Sequence, residues 1–239
     1  MRKVLSAVAA VCASVMAVGA ASAQSAAKWG GLHIGAHIGY GWGDFDSVRI
    51  DASGTFPTGF QTGRELEGVL GGFHFGYDWQ LGNIVVGIEG EYSFSDVSGS
   101  SSVASPLIAG RVSHSTTDLE WFGTVTGRVG YAFDSLLVYA RAGVAWTSFE
   151  TGGAVVNAAG TVLNNNLAEE SRTGWTVGAG IEWMFAKNWS LRFEYNYLDF
   201  GDGAVTNNSI DARTGVNFPT RSDTSVDLHV AKVGLNLRF

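Results

Sequence analysis

The stretch Val233-Gly234-Leu235-Asn236-Leu237-Arg238-Phe239 decides the reading of this chain. Val233, Leu235, Leu237 and Phe239 fall on one side of an extended strand, and Gly234, Asn236 and Arg238 fall on the other. A strand with one face in lipid and the other in a polar interior has this alternation, with an aromatic ring at headgroup level.

Working back from that strand, seven further segments alternate with period two, at about 29–42, 67–80, 84–95, 118–132, 136–149, 174–185 and 189–199. Each is longer than the roughly 9–11 residues a tilted strand needs to cross a bilayer. The faces separate by parity. Leu32, Ile34, Ile38, Tyr40 and Trp42 oppose His33, Gly35, His37 and Gly39, and Leu191, Phe193, Tyr195 and Tyr197 oppose Arg192, Glu194 and Asn196. A soluble barrel of the lipocalin kind also alternates, with the apolar face inward. Mid-strand charges on the polar face, and Trp or Tyr near the ends of the apolar face, favour the membrane form. Connections alternate as well: short at 81–83, 133–135 and 186–188, long at 43–66, 96–117, 150–173 and 201–225. The expected fold is all-β, an eight-stranded antiparallel transmembrane β-barrel with short periplasmic turns and long extracellular loops.

The amino end supports export. Arg2 and Lys3 precede an apolar run from 4 to 18, too short for a confident membrane span, and Ala21-Ser22-Ala23 forms an A-x-A cleavage site. The expected organisation is a cleaved signal peptide over 1–23 and one barrel domain over 24–239. Cys12 lies inside the leader, so the mature chain has no thiol chemistry available. The leader removes two basic and no acidic residues, so the formal charge of −7 becomes −9. That argues against nucleic acid, which needs a basic footprint. Beyond Ala23 no stretch is apolar enough for a transmembrane helix, so a membrane location implies a barrel.

Three stretches resemble a known family. Trp29-Gly30-Gly31-Leu32-His33-Ile34-Gly35-Ala36-His37-Ile38-Gly39-Tyr40-Gly41 is similar to the first strand of the small immunogenic, opacity-like outer-membrane proteins. Asn188-Trp189-Ser190-Leu191-Arg192-Phe193-Glu194-Tyr195-Asn196-Tyr197-Leu198-Asp199-Phe200-Gly201 resembles their seventh strand, and 232–239 their closing strand. The resemblance implies an abundant surface barrel of the Gram-negative outer membrane, often labelled a porin. It also implies a barrel-insertion machine that reads the terminal strand, here Val233, Leu235, Leu237 and Phe239. Some family members are associated with haem, which would make His114, in the second long loop, a haem candidate.

Parity places a charge network in the interior: Arg128, Arg141, Arg192, Lys232 and Arg238 with Asp78, Glu89, Glu91, Glu120, Glu182 and Glu194. An eight-stranded barrel is just wide enough for its own side chains. Buried charges there must pair or stay hydrated, giving either a salt-bridge plug or a narrow ion path. His33, His37 and His74 also point inward. His33 and His37 stand about 13 Å apart along a strand and do not share a metal. Ser225, Asp227 and His229 share a face, but Ser and His four residues apart are out of reach as nucleophile and base. Gly174-Trp175-Thr176-Val177-Gly178-Ala179-Gly180 lacks the helix that a phosphate loop requires. No catalytic, cofactor or metal site is expected. Expected partners are outer-membrane lipid and lipopolysaccharide, the insertion machinery, and host or surface ligands at the loops. The sequence favours a structural, surface-exposed envelope protein. The alternatives are a small porin for ions or solutes and loop-mediated adhesion or haem binding.

Overall fold

The computed structural model describes residues 29–50, 58–210 and 217–239; the expected leader lies outside them. Eight strands follow one another: β1 (Gly31–Arg49), β2 (Gln61–Leu81), β3 (Ile84–Ala104), β4 (Val112–Phe133), β5 (Leu136–Val156), β6 (Val162–Met184), β7 (Trp189–Ile210) and β8 (Asn217–Arg238). Each pairs antiparallel with the next. β1 closes the ring on β8 from His33↔Arg238 to Arg49↔Ser222. Closure satisfies the backbone without a lipid-exposed edge, which is what lets strands cross hydrocarbon. Gly82 (φ 63°) and Asp134 (φ 52°) make two of the tight turns at one end.

The spans expected as long loops are mostly strand. β1 runs on to Arg49, β3 to Ala104, β5 to Val156 and β7 to Ile210, so the β3–β4 and β5–β6 connections shrink to 105–111 and 157–161. Ser-, Thr- and Gly-rich segments pair here because each hairpin partner supplies the hydrogen bonds, whatever the hydropathy. His114 therefore stands on β4, not in a loop, with Ser102 2.7 Å from its Nδ1.

The outward face is apolar and exposed: Ile38, Val69, Phe75, Ile88, Val129 and Val144 lie in its middle. Tyr77, Trp79, Tyr131, Phe133, Trp183 and Trp189 ring the turn end, and Tyr40, Phe94, Trp146, Trp175 and Tyr195 ring the outer end. These belts set the two headgroup planes. Just above the outer belt, carboxylates stand directly opposite one another. One row is Glu65, Asp44, Asp227, Asp199; another is Asp118, Glu150, Glu169.

Two irregularities move side chains between faces. β3 takes an extra residue between Phe94 and Val97, and β4 takes Glu120 as an extra residue against β5, between Leu119 and Trp121. The parity of β4 flips there: Thr117 and Leu119 are buried inside, as are Phe122 and Thr124 beyond the bulge. Glu120 is exposed on the outer wall, correcting its expected place in the lumen.

Candidate functional site: the charged lumen

The remaining ten expected lumen charges meet in one buried network of five cations and five carboxylates. At the turn end, Asp78 on β2 accepts from Arg128 Nε at 2.8 Å and from Arg238 Nη1 at 2.8 Å, with a second, tighter contact from Arg128. Glu182 on β6 accepts from Arg238 Nη2 at 2.9 Å, Asn236 Nδ2 at 2.8 Å and the Ser190 hydroxyl at 2.5 Å. In the middle, Glu89 accepts two bonds from Arg192 Nη1, at 2.8 and 3.0 Å, and lies 3.1 Å from Arg141 Nη1. Higher up, Lys232 Nζ donates to both Glu91 oxygens at 2.6 and 2.7 Å. Glu194 accepts from Arg141 at 2.6 Å, the Tyr139 hydroxyl at 2.7 Å and Asn196 at 2.7 Å.

Charged groups come from β2 to β8. β1 joins through His33, whose Nε2 lies 3.0 Å from Glu89. Every strand is thus tied to the same network. Several pairs join strands far apart in the chain, such as Glu91 and Lys232, 141 residues apart. Inward glycines make the room. A Cβ at Gly76 would lie 2.6 Å from the His33 ring, and one at Gly180 2.6 Å from Tyr139. His37 and His74 stack at 5.6 Å, with their Nδ1 atoms 3.4 Å apart. Among the described residues no group of His, Cys, Asp and Glu is arranged to hold a metal ion.

Sequence reasoning missed what lies above and below the charges. Above them, Phe45, Leu66, Leu70, Val97, Leu119, Phe122, Phe149, Leu198, Phe200 and Leu228 form a buried apolar layer inside the barrel. Phe45 and Phe149 meet edge to face at 6.0 Å. Arg64 lies over Phe45 and donates to Thr117 at 2.7 Å; Arg172 lies over Phe149 and donates to the Thr224 carbonyl at 3.1 Å. The rim thus repeats itself after four strands. Below the charges, Trp29, Val85, Ala132, Leu137 and Tyr139 close the turn end. Trp29 is pinned by its indole to the Asp134 carbonyl at 3.2 Å and by its own carbonyl to Arg238 at 2.7 Å. Leu66, Leu70 and Phe45 share parity with inward charges or glycines on their strands, so the signal was present in the alternation. The space between Glu91, Lys232, Arg141 and Phe122 is too small for a water molecule.

Ser225, Asp227 and His229 sit on the outer wall. His229 Nδ1 lies 2.7 Å from the Tyr195 hydroxyl and its ring stacks on Trp42 at 5.8 Å, while Asp227 lies 3.8 Å from Nε2.

Residues 10–239 match the family model described as outer membrane protein beta-barrel domain. The chain belongs to this family. The 31 kDa outer-membrane immunogenic protein of Brucella melitensis is 32% identical over 224 residues, which cover 89% of this chain and 84% of the relative. The 22 kDa outer membrane protein of Rhizobium leguminosarum bv. viciae is 32% identical over 184 residues, covering 75% and 68%. Among solved structures, OprG from Pseudomonas aeruginosa superposes with a TM-score of 0.55 at 17% identity, over 89% of this chain and 98% of that one. The outer membrane protease OmpT from Escherichia coli also reaches 0.55, at 9% identity, over 87% and 97%. The two structures share the fold. This member of the outer-membrane β-barrel family resides in the outer membrane of a Gram-negative bacterium, and its named relatives are outer-membrane and immunogenic proteins.

Proposed function

We propose that this family member is a structural, non-enzymatic barrel that supports envelope integrity and presents a rigid strand extension outside the cell. The observation that carries this reading is the stacking of the lumen: an apolar layer, a balanced charge layer and a second apolar layer lie across the same axis. An ion crossing it would leave water without a continuous polar path. The network acts as a fastener among strands distant in sequence, and the apolar layers keep water from competing for its bonds. The porin alternative draws on the same charges, but the apolar layers stand in its way.

Two further proposals accompany this one. Residues 1–23 are removed on export, which the mass of protein purified from membranes tests. The outward side chains Val233, Leu235, Leu237 and Phe239 present the insertion signal to the assembly machinery, with lipid and lipopolysaccharide as the final surroundings.

The test is conductance of the refolded mature protein in a planar bilayer. Silence from protein shown to be folded is the expected result. Discrete openings altered by Arg192→Gln or Glu194→Gln would overturn the sealed reading and restore the porin.

A further inference from the structure

The hydrogen-bond ladder does not continue around the whole outer rim. β5 and β6 pair from Leu136↔Trp183 to Val156↔Val162, and β7 and β8 pair from Trp189↔Leu237 to Ile210↔Asn217. Both hairpins are thus formed almost to their tips. Yet β6 and β7 pair with each other only between Met184↔Ser190 and Trp175↔Asp199, among the described residues. Among the described residues, 162–174 of β6 therefore keep one edge without a strand partner. A notch opens there, directly above Trp175 in the outer aromatic belt.

The divergence is built into β7. Between Asp199 and Asp202 the strand carries one residue more than β8 does. Gly201 takes the left-handed φ of 65°, and its N–H donates to Asp199 Oδ1 at 2.7 Å. Such a bulge bends its strand and sharpens its local twist; pairing with β8 resumes beyond it, while pairing with β6 does not. Gly174 stands at the vertex, where a Cβ would overlap the Asp199 carbonyl oxygen and lie 2.7 Å from Phe200 Cα. From the inner face Arg172 donates to the carbonyls of Gly201 at 3.3 Å and Thr224 at 3.1 Å, beside the bulge. Gly203 lies against its guanidinium, where a Cβ would be 2.5 Å from Cζ.

Free edges in native sheets are usually blunted by a charge, a proline or a cover. Within the free edge, 162–168 contains no charged residue and no proline, while Glu169, Glu170 and Arg172 lie nearer the membrane; on the facing strand 203–210, past Asp202, contains none either. Nothing in the composition of 162–168 or 203–210 repels an added strand. The outer wall nearer the membrane is rich in carboxylates, Glu169 among them, so the uncharged outer half of the edge stands apart from it.

We propose that the notch between β6 and β7 is a docking site for an extended, uncharged segment of another protein, which adds as an antiparallel strand to the free edge of β6 outside the membrane. Backbone groups supply the affinity, and alternate side chains of the guest face the two sides of the extension. Two barrels inserted the same way up run their β6 strands in the same direction, so a β6–β6 contact between copies would be parallel; a copy docking through its own β7 edge is an outcome of the test. This inference stands whether or not the lumen conducts.

The probe is the labelled peptide acetyl-Thr-Val-Thr-Val-Thr-Val-Thr-Val-amide, added to the refolded mature protein in micelles. Heat-modifiable mobility verifies the fold of each sample. Saturable one-to-one binding is expected, with amide exchange in 162–171 slowed at least tenfold and that of β8 unchanged. The same peptide with a central proline should bind at least tenfold more weakly. Deleting Gly201 removes the bulge and should abolish binding. Should that protein fail to fold, Leu167→Lys, at an exposed side chain on the same strand, should weaken binding tenfold without altering mobility. Three results would overturn the inference: no saturable binding to folded barrel, full protection of 162–174 without peptide, or protection of that edge by a dimer of the chain itself.

Discussion

Replacing Arg192 by Met probes the fastener at its centre. The side chain is 0% exposed, and its guanidinium holds Glu89 through two bonds at 2.8 and 3.0 Å, with Glu91 at 3.4 Å and Glu194 at 3.5 Å. Met keeps most of the volume and removes the charge, leaving four cations against five carboxylates. Glu89 retains Arg141 at 3.1 Å, Arg128 at 3.7 Å and His33, so it is weakened rather than orphaned. Taking one partner from a buried pair costs about 3–5 kcal/mol, and the surviving partners argue for the lower half of that range. The assay is equilibrium urea unfolding of the bilayer-refolded protein by tryptophan fluorescence. The pairing logic makes a second demand: Glu89→Gln added to Arg192→Met restores charge balance and should recover at least half of the loss. Coupling between touching residues is about 0.5–3 kcal/mol, enough to resolve the difference. A single substitution costing less than about 1 kcal/mol, or a double no better than the single, would refute the claim that the lumen is held by paired charge.

Other outcomes follow from the same geometry. Phe149→Ala leaves a hole opposite Phe45 in the outer apolar layer and should cost about 3–5 kcal/mol in the same titration. Glu120→Gln, on the outer wall, should leave the unfolding midpoint unchanged while Glu194→Gln lowers it; equal effects would mean that the bulge in β4 is misplaced. Gly72→Ala puts a Cβ onto the Tyr92 carbonyl oxygen and 2.8 Å from Ser93 Cα, so the yield of heat-modifiable barrel should fall sharply. Asp227→Asn relieves direct opposition to Asp44 and Asp199 and should stabilise the barrel by about 0.2–1 kcal/mol at low salt, a gain that molar salt erases.

The number of crossing strands, their order and most of their facing were legible in the chain, because side-chain direction alternates with period two and only one face can touch lipid. His33, Arg141 and Glu194 needed nothing more than parity to be placed inside. Parity carries no information past a bulge, and one extra residue at Glu120 turned that carboxylate outward and brought Leu119 in. The strand extensions were hidden for a different reason. Residues such as 98–104 and 112–117 are Ser- and Thr-rich, and what makes them strand is the partner across the hairpin. The apolar layer lay in the alternation at Phe45 and Leu66, yet that its members meet inside the barrel depends on where eight strands bring their side chains around one axis. Which carboxylate meets which guanidinium also waited for closure. Pairs such as Glu91 with Lys232 join residues that local periodicity cannot relate, and only the register of the ring puts them within 2.6 Å. The sequence by itself determined the membrane, the crossing strands and most of the inward set; the tertiary structure decided the pairing, the apolar layers and the notch, because each depends on contacts between strands rather than along one.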